Sequence, residues 1–181
     1  MTRVAVVRDP SLPFTSGELG TIQGAASSLR VEVSPLGARD AGEIESGIAA
    51  FARGSNGGLI VLGSAVVLEH RDVIIRLAAQ HRLPAVYTTR YFVTDGGLMS
   101  YGPDRVDLYR RAAGYVDRIL MGEKPADLPV QTPTRYQLVI SLNTVARPRP
   151  PGLAARPRRR GDRIRAALLR LLTAGFGTFS T

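Results

Sequence analysis

A doubly wound, mostly parallel α/β sheet is the fold class the sequence predicts, and three observations predict it. Apolar β-rich runs alternate with amphipathic helical patterns from residue 3 to residue 142. One run, Leu59-Ile60-Val61-Leu62, is apolar without interruption, as a strand covered on both faces must be. Strand and helix succeed each other in short alternation, the pattern of parallel βαβ units joined by right-handed crossovers.

Each element has its own signal. Val4–Val7 is a short continuous run closed by Asp9-Pro10, and Ser16 is placed to cap a helix whose Leu19, Ile22, Ala26 and Leu29 recur at helical spacing. Arg30–Leu36 reads as the second strand, with Val31 and Val33 alternating. Asp40-Ala41-Gly42-Glu43 resembles a capping box, in which the Asp carboxylate accepts from first-turn N–H groups. Ile44, Ile48 and Phe51 then share one helical face, and Gly54-Ser55-Asn56-Gly57-Gly58 breaks the helix. After the run at Leu59–Leu62, one helix presents Val73, Ile74, Leu77 and Ala78, and Pro84–Tyr87 is a further strand. Gly96-Gly97 marks a tight turn into Leu98–Tyr101. Asp104 caps a long helix through Leu120, and Tyr136–Leu142 is the final strand.

Composition narrows the function classes. At 181 residues and 44% hydrophobic content the chain can bury a real core. There is no Cys, which excludes disulfides and thiolate chemistry and leaves the redox compartment open. The apolar run at Val4–Val7 is too short for a signal-peptide core, so the chain as written is expected to lack an export signal and to stay in the cytoplasm. No stretch is long enough for a membrane span. Net charge is +9, but residues 146–181 hold nine Arg and one acidic residue. Subtracting these from the 24 basic and 15 acidic residues of the whole chain leaves 15 and 14 in residues 1–145. The body is therefore nearly neutral, and the high pI describes the tail.

In a doubly wound sheet ligands sit beyond the carboxyl ends of the strands, which makes Asp9, Ser64, the stretch Tyr87 to Arg90, and Tyr101 the candidate positions, with Asp9, Ser64, Tyr87, Arg90 and Tyr101 the foremost candidate ligand-binding residues. Asp9 has an equally good second reading as the cap of a turn before Pro10. Tyr87, Tyr91 and Phe92 can line a ligand wall or simply fill the core. A receiver-type phosphoacceptor is disfavoured, because Gly63-Ser64 stands where the acidic residue would end the central strand. A dinucleotide site is disfavoured by Pro10 and Pro13, which occupy the loop where phosphate-cradling N–H groups are needed. His70 and His81, eleven residues apart, are expected at helix ends and not on a metal. Ser64 has no His at a suggestive spacing. No catalytic residue, metal or cofactor is expected.

Several longer stretches carry a resemblance. Asn56-Gly57-Gly58-Leu59-Ile60-Val61, His70-Arg71-Asp72, His81-Arg82-Leu83-Pro84-Ala85-Val86-Tyr87 and Gly96-Gly97-Leu98-Met99-Ser100-Tyr101-Gly102-Pro103-Asp104 occur in order. Tyr109-Arg110-Arg111-Ala112-Ala113-Gly114-Tyr115 and Lys124-Pro125-Ala126-Asp127-Leu128-Pro129-Val130-Gln131 follow them. Together they resemble the ABC-transporter substrate-binding family that includes tryptophan- and tyrosine-type binding proteins, over roughly residues 3–145.

The resemblance implies a periplasmic-binding-protein fold, in which two α/β lobes close on a small, amino-acid-like ligand without chemistry and deliver it to an ABC permease. It implies a periplasmic or other extracytoplasmic location. Residues 1–103 would be the second lobe, and 104–145 a helix and strand that normally return to the first. On that view the first lobe is mostly absent and the sequence is a fragment, for which an internal start codon would account. The returning helix and strand must then repack or expose an apolar face.

Residues 146–181 depart from the family, and a reading-frame shift explains the departure. Family members end in a segment resembling leucine-leucine-alanine-arginine-alanine-aspartate-glutamate-valine-isoleucine-glutamate. Written in GC-rich codons and read in a shifted frame, that segment becomes Ala155 to Arg163 of this chain. Sequencing the gene is expected to show a family-like ending in an alternative frame after about codon 145; its absence from both alternative frames removes the idea. The competing reading is a stand-alone α/β regulatory domain whose basic tail binds a partner or nucleic acid. No stacking aromatics interleave Arg156, Arg158, Arg159 and Arg160, so no specific nucleic acid is expected. Trimming the chain after Val145 separates the two readings, since only the second makes binding depend on the tail.

Overall fold

The computed structural model describes residues 1–145; the tail assigned above to 146–181 lies outside the described residues. Six strands, β1 (Arg3–Arg8), β2 (Glu32–Gly37), β3 (Gly57–Val61), β4 (Ala85–Tyr87), β5 (Met99–Pro103) and β6 (Tyr136–Ile140), form one sheet among the described residues. Their spatial order is β2-β1-β3-β4-β5-β6. The first five run parallel, and β6 returns antiparallel along β5. The chain steps from β1 outward to β2, then crosses back to place β3 on the other side of β1. The topological switch point therefore lies between β1 and β3.

Alternation along the strands divides the core in two. Val4, Val6, Ile60, Val86 and Met99 face α1 (Pro13–Leu29), which contributes Leu19, Ile22 and Ala26. Ala5, Val7, Leu59, Val61 and Tyr87 face the other way, onto α2 (Ala41–Ala52), α3 (Ala65–Glu69), α4 (Arg71–Gln80) and α5 (Tyr91–Thr94). Both faces of β1 and β3 are covered, which is why their sequences read as continuous apolar runs. At 25 cal/mol per Å², each fully buried Ile or Leu contributes about 2 kcal/mol, so these two layers carry the fold. Pro35 sits opposite Val6 in β2, and is tolerated because β2 is an edge strand with no second neighbour to receive its missing N–H.

Several boundaries differ from the expected ones for local reasons. α1 begins at Pro13, with Leu12 preceding it and no side-chain cap, so Ser16 lies inside the helix. Proline at the first helical position lacks only an N–H that would be unsatisfied anyway. The Thr15 hydroxyl is bound to the Asp9 and Leu12 carbonyl oxygens at 2.7 Å each and fixes the turn. Asp40 caps α2 as expected, accepting from the Glu43 N–H at 2.8 Å. The reciprocal contact reaches one residue further back than in a capping box, with the Glu43 carboxylate accepting from the Arg39 N–H at 2.8 Å. The single helix expected after β3 is two, α3 and α4, hinged at His70. α5, which the sequence reading did not separate from the aromatic cluster, closes through Gly96 at φ +107°, a conformation open to glycine.

Beyond β5, α6 (Arg105–Leu120) buries only Asp107. Asp107 pairs with Arg111 at 3.0 Å and Arg135 at 3.8 Å. Val106, Tyr109, Val116 and Leu120 fall at helical spacing along α6 and are 62, 74, 55 and 80% exposed, so the apolar stripe is uncovered among the described residues. A Val116→Ser, Leu120→Ser double variant is therefore expected to lower the fluorescence of the dye ANS bound to the protein. It should change unfolding free energy by less than about 0.5 kcal/mol in a urea titration, because neither side chain is in the core. A 3-10 turn at Pro125–Asp127 and a short α7 (Leu142–Val145) complete the described chain.

Candidate functional site

The carboxyl ends of the parallel strands are level with one another. Val7 is opposite Val61, Val61 opposite Tyr87, and Tyr87 opposite Ser100. The next residues along each strand thus form a single rim made of Asp9, Gly63-Ser64, Thr88 to Arg90, and Gly102-Pro103. A cavity of about 430 Å³ opens at the β4–β5 end of this rim, within the usual size of small-molecule sites.

Strand parity decides which side chains line the cavity. Met99 and Tyr101 point toward the α1 side, so Ser100 and Gly102 turn to the opposite face. The antiparallel register places Val139 opposite Ser100 and Gln137 opposite Gly102, and all four border the cavity. Thr88, Thr89, Arg90 and Tyr91 border it from the end of β4 and the start of α5. Asp104 closes the far wall. Its Oδ1 accepts from the Val106 and Asp107 N–H groups at 3.0 and 3.3 Å, and its Oδ2 accepts from the Gln137 amide at 2.8 Å. Thr89 is buried, and its hydroxyl oxygen has no hydrogen-bond partner among the described residues.

The five residues expected to bind ligand are dispersed by the fold. Arg90 lines the cavity, is exposed and makes no ion pair among the described residues. Asp9 and Ser64 flank the switch point between β1 and β3, on the same rim but outside this cavity. Asp9 is 6% exposed and accepts from the Ser11 hydroxyl and N–H at 2.5 and 2.9 Å. The Ser11 hydrogen bonds, helped by Arg39 and Arg8, hold its carboxyl below the usual range. That is the turn-capping role. Ser64 caps α3, its hydroxyl oxygen accepting from the Val67 N–H at 3.1 Å.

Tyr87 and Tyr101 turn their rings into the two core layers. Tyr87 is 1% exposed, stacked on Phe92 with ring centroids 4.5 Å apart, and belongs to the core over α2 and α4. Burial pushes its phenol well above the ordinary value. Tyr101 stacks on Tyr136 at 5.6 Å on the α1 face, away from Ser100 and Gly102, and desolvation with the neighbouring Tyr136 raises its phenol. Thr88 and Thr89 fall within the strand-end stretch Tyr87 to Arg90 that the sequence points to, whereas Ser100 and Gln137 were missed. The signal for Ser100 was present in the i, i+2 alternation of Met99 and Tyr101; that for Gln137 depends on the β5–β6 register, which no local pattern sets.

No group of three or more His, Asp or Glu side chains that could hold a metal ion forms among the described residues, and His70 and His81 sit at the ends of α3 and α4. No described helix is long and apolar enough to cross a membrane.

A family profile described as ABC transporter substrate binding protein matches residues 1–147. No curated protein matches the chain. Among solved structures, a conserved domain protein from Vibrio cholerae is similar with a TM-score of 0.70 and 24% identity, over 77% of this chain and 47% of that one. An ABC domain in complex with L-Trp from Streptococcus pneumonia has a TM-score of 0.72 and 18% identity, over 80% and 48%. A ligand-free, open substrate binding protein with adhesive properties from Clostridium difficile has a TM-score of 0.61 and 19% identity, over 80% and 48%. The chain spans about half the length of these structures, and the likeness establishes a shared fold.

Proposed function

The chain belongs to the ABC transporter substrate binding protein family, and from that membership we propose that it supplies one ligand-contacting lobe of a solute-binding clamshell. Residues 1–103 are this lobe, and 104–145 are the helix and strand that in the family return to the other lobe, while here β6 pairs with β5 of this one. The bound solute is a small, amino-acid-like molecule, passed unchanged to an ABC permease outside the cytoplasm. The L-Trp bound to one structural neighbour is in keeping with that size of ligand. The family is a substrate-binding one, which fits a role without chemistry.

The observation that carries this reading is the cavity at the level carboxyl rim of a parallel sheet, bordered by Thr88, Thr89, Arg90 and Ser100. Its polar groups can orient a ligand by hydrogen bonds, and no group there is arranged to break a bond. The uncovered stripe on α6 supports a facing lobe, because a stripe of that spacing is buried in most folds. Two-lobed closure gains affinity by burying the ligand between both faces. Isothermal calorimetry of this chain with the amino acids is therefore expected to give dissociation constants of about a millimolar or weaker, near 4 kcal/mol of binding free energy. Micromolar binding would mean that one lobe suffices and would overturn the architecture proposed.

A further inference from the structure

We infer that α6 is a self-association surface: a second copy of this chain docks on it, the two α6 helices lying antiparallel about a two-fold axis. This is the face that an opposing lobe would otherwise cover, and the inference does not depend on what the cavity binds. It follows from the spacing of the exposed apolar side chains and from the charges beside them.

The two sides of α6 differ. Asp107, Leu108, Arg111 and Tyr115 are its less exposed residues. They turn toward the rest of the chain, where Asp107 pairs with Arg135 and the Tyr115 hydroxyl donates to the Pro129 carbonyl oxygen. On the opposite side Val106, Tyr109, Ala113, Val116 and Leu120 are all exposed. Their separations alternate between three and four residues, the a and d spacing of a heptad. Such a seam is narrower than the face a helix lays against a sheet, and its natural complement is another helix. Arg110 and Asp117 line one flank of the seam, and Arg105, Ala112 and Ile119 line the other.

The flanking charges choose the partner and its direction. The ion pairs of α6 among the described residues engage Asp107, Arg111 and Arg118, which leaves Arg110 and Asp117 with none. A parallel pair of α6 helices would set Arg105 against Arg110 of the second copy on both flanks, which is repulsive. An antiparallel pair sets Arg110 against Asp117 of the second copy, and the two-fold axis repeats that contact. The same register puts Tyr109 on Leu120, Ala113 on Val116 and Ala112 beside Ile119, so each layer between the helices is apolar. A second copy supplies this whole order by symmetry, because an isologous interface needs one self-complementary patch. Length sets the strength. The 16 residues of α6 span about 24 Å. A helix pair of that length covers less than the roughly 800 Å² per partner of a standard interface, so the dimer is a reversible one.

Sedimentation equilibrium of the full chain tests this. A monomer–dimer equilibrium is expected, with a dissociation constant on the order of 10–100 μM. Below that concentration the stripe stays open to ANS. Asp117→Arg and Arg110→Asp should each weaken the dimer by roughly tenfold, since two attractive contacts per dimer become repulsive. Combining the two reversals should restore the parent constant to within about twofold, because the pair is re-formed with its signs exchanged. The Val116→Ser, Leu120→Ser double variant should stay monomeric over the same range while melting like the parent at low concentration. A chain that is monomeric throughout overturns the inference and leaves the stripe to an opposing lobe. Association that survives the double serine variant places the contact elsewhere and overturns it too, as does growth beyond a dimer. Failure of the combined reversal to rescue either single reversal overturns the antiparallel register.

Discussion

Tyr87→Ala is expected to lower the free energy of unfolding by about 3–5 kcal/mol, the range for truncating a large buried aromatic, and Tyr101→Ala to cost clearly less. Tyr87 is sealed between β4 and the helices over it and stacks on Phe92, so its loss leaves a cavity that α5 cannot collapse into without moving the rim. Tyr101 is half-buried at the β5–β6 edge, where neighbours can relax. Urea titrations of both variants decide the point, and a Tyr87→Ala loss under 1 kcal/mol would put that ring back in the cleft.

The same residue makes a pH prediction with a definite sign. The folded-state phenol of Tyr87 titrates above its ordinary value of 10.0 because burial disfavours the phenolate. The unfolded chain therefore loses this proton first as pH rises. The stability owed to the neutral phenol is fully present below pH 10 and declines as pH climbs above it toward the folded-state value. Tyr101 adds to the slope in the same direction. Tyr87→Phe should flatten the decline between pH 9 and 11 in thermal melts. An unchanged slope would show that the ring is reached by water.

The core of this fold is legible because it is local. Continuous runs at Val4–Val7 and Leu59–Leu62 need cover on both sides, and the helices that supply it repeat Leu19, Ile22, Ala26 and Ile44, Ile48, Phe51 at helical spacing. Capping by Asp40 and Asp104 is equally local, since each carboxylate binds N–H groups two or three residues ahead. What eluded sequence reading depends on contacts across the sheet. The start of α1 at Pro13 is set by the Thr15 hydroxyl meeting the Asp9 carbonyl, six residues away and around a turn. The direction of β6 follows from its pairing with β5, and β6 alone has no feature that makes it antiparallel.

The candidate site divides along the same line. Strand-end position puts Asp9, Ser64 and Arg90 along one rim, because the parallel register keeps the strand ends level. Position along a strand says nothing about which face a side chain takes. That parity sends Tyr87 into one core layer and Tyr101 into the other, while Ser100, between Met99 and Tyr101, reaches the cavity. Capping also engages part of two candidates: Asp9 Oδ1 accepts from Ser11 and the Ser64 hydroxyl oxygen accepts from the Val67 N–H.

Gly102→Val is expected to destabilise the chain by about 3 kcal/mol, the upper part of the range for forcing volume into a packed site. A Cβ built on Gly102 would lie 2.2 Å from the Thr88 carbonyl oxygen, which is backbone and cannot swing aside like a side-chain tip. Relief requires the end of β4 to part from β5, and the residues that move are Thr88, Thr89 and Arg90, the cavity wall itself. Loss of stability and shifts of the Thr88, Thr89 and Arg90 backbone amide resonances should therefore appear together. Gly114→Ala is the matched control. It lies in the middle of α6 with nothing within 4 Å of the added Cβ, so it should stabilise by up to about 1 kcal/mol through helix propensity and leave those amides alone. If Gly102→Val melts like the parent, β4 and β5 are not held at the spacing that shapes the cavity, and the close approach at Thr88 is not what sets the rim.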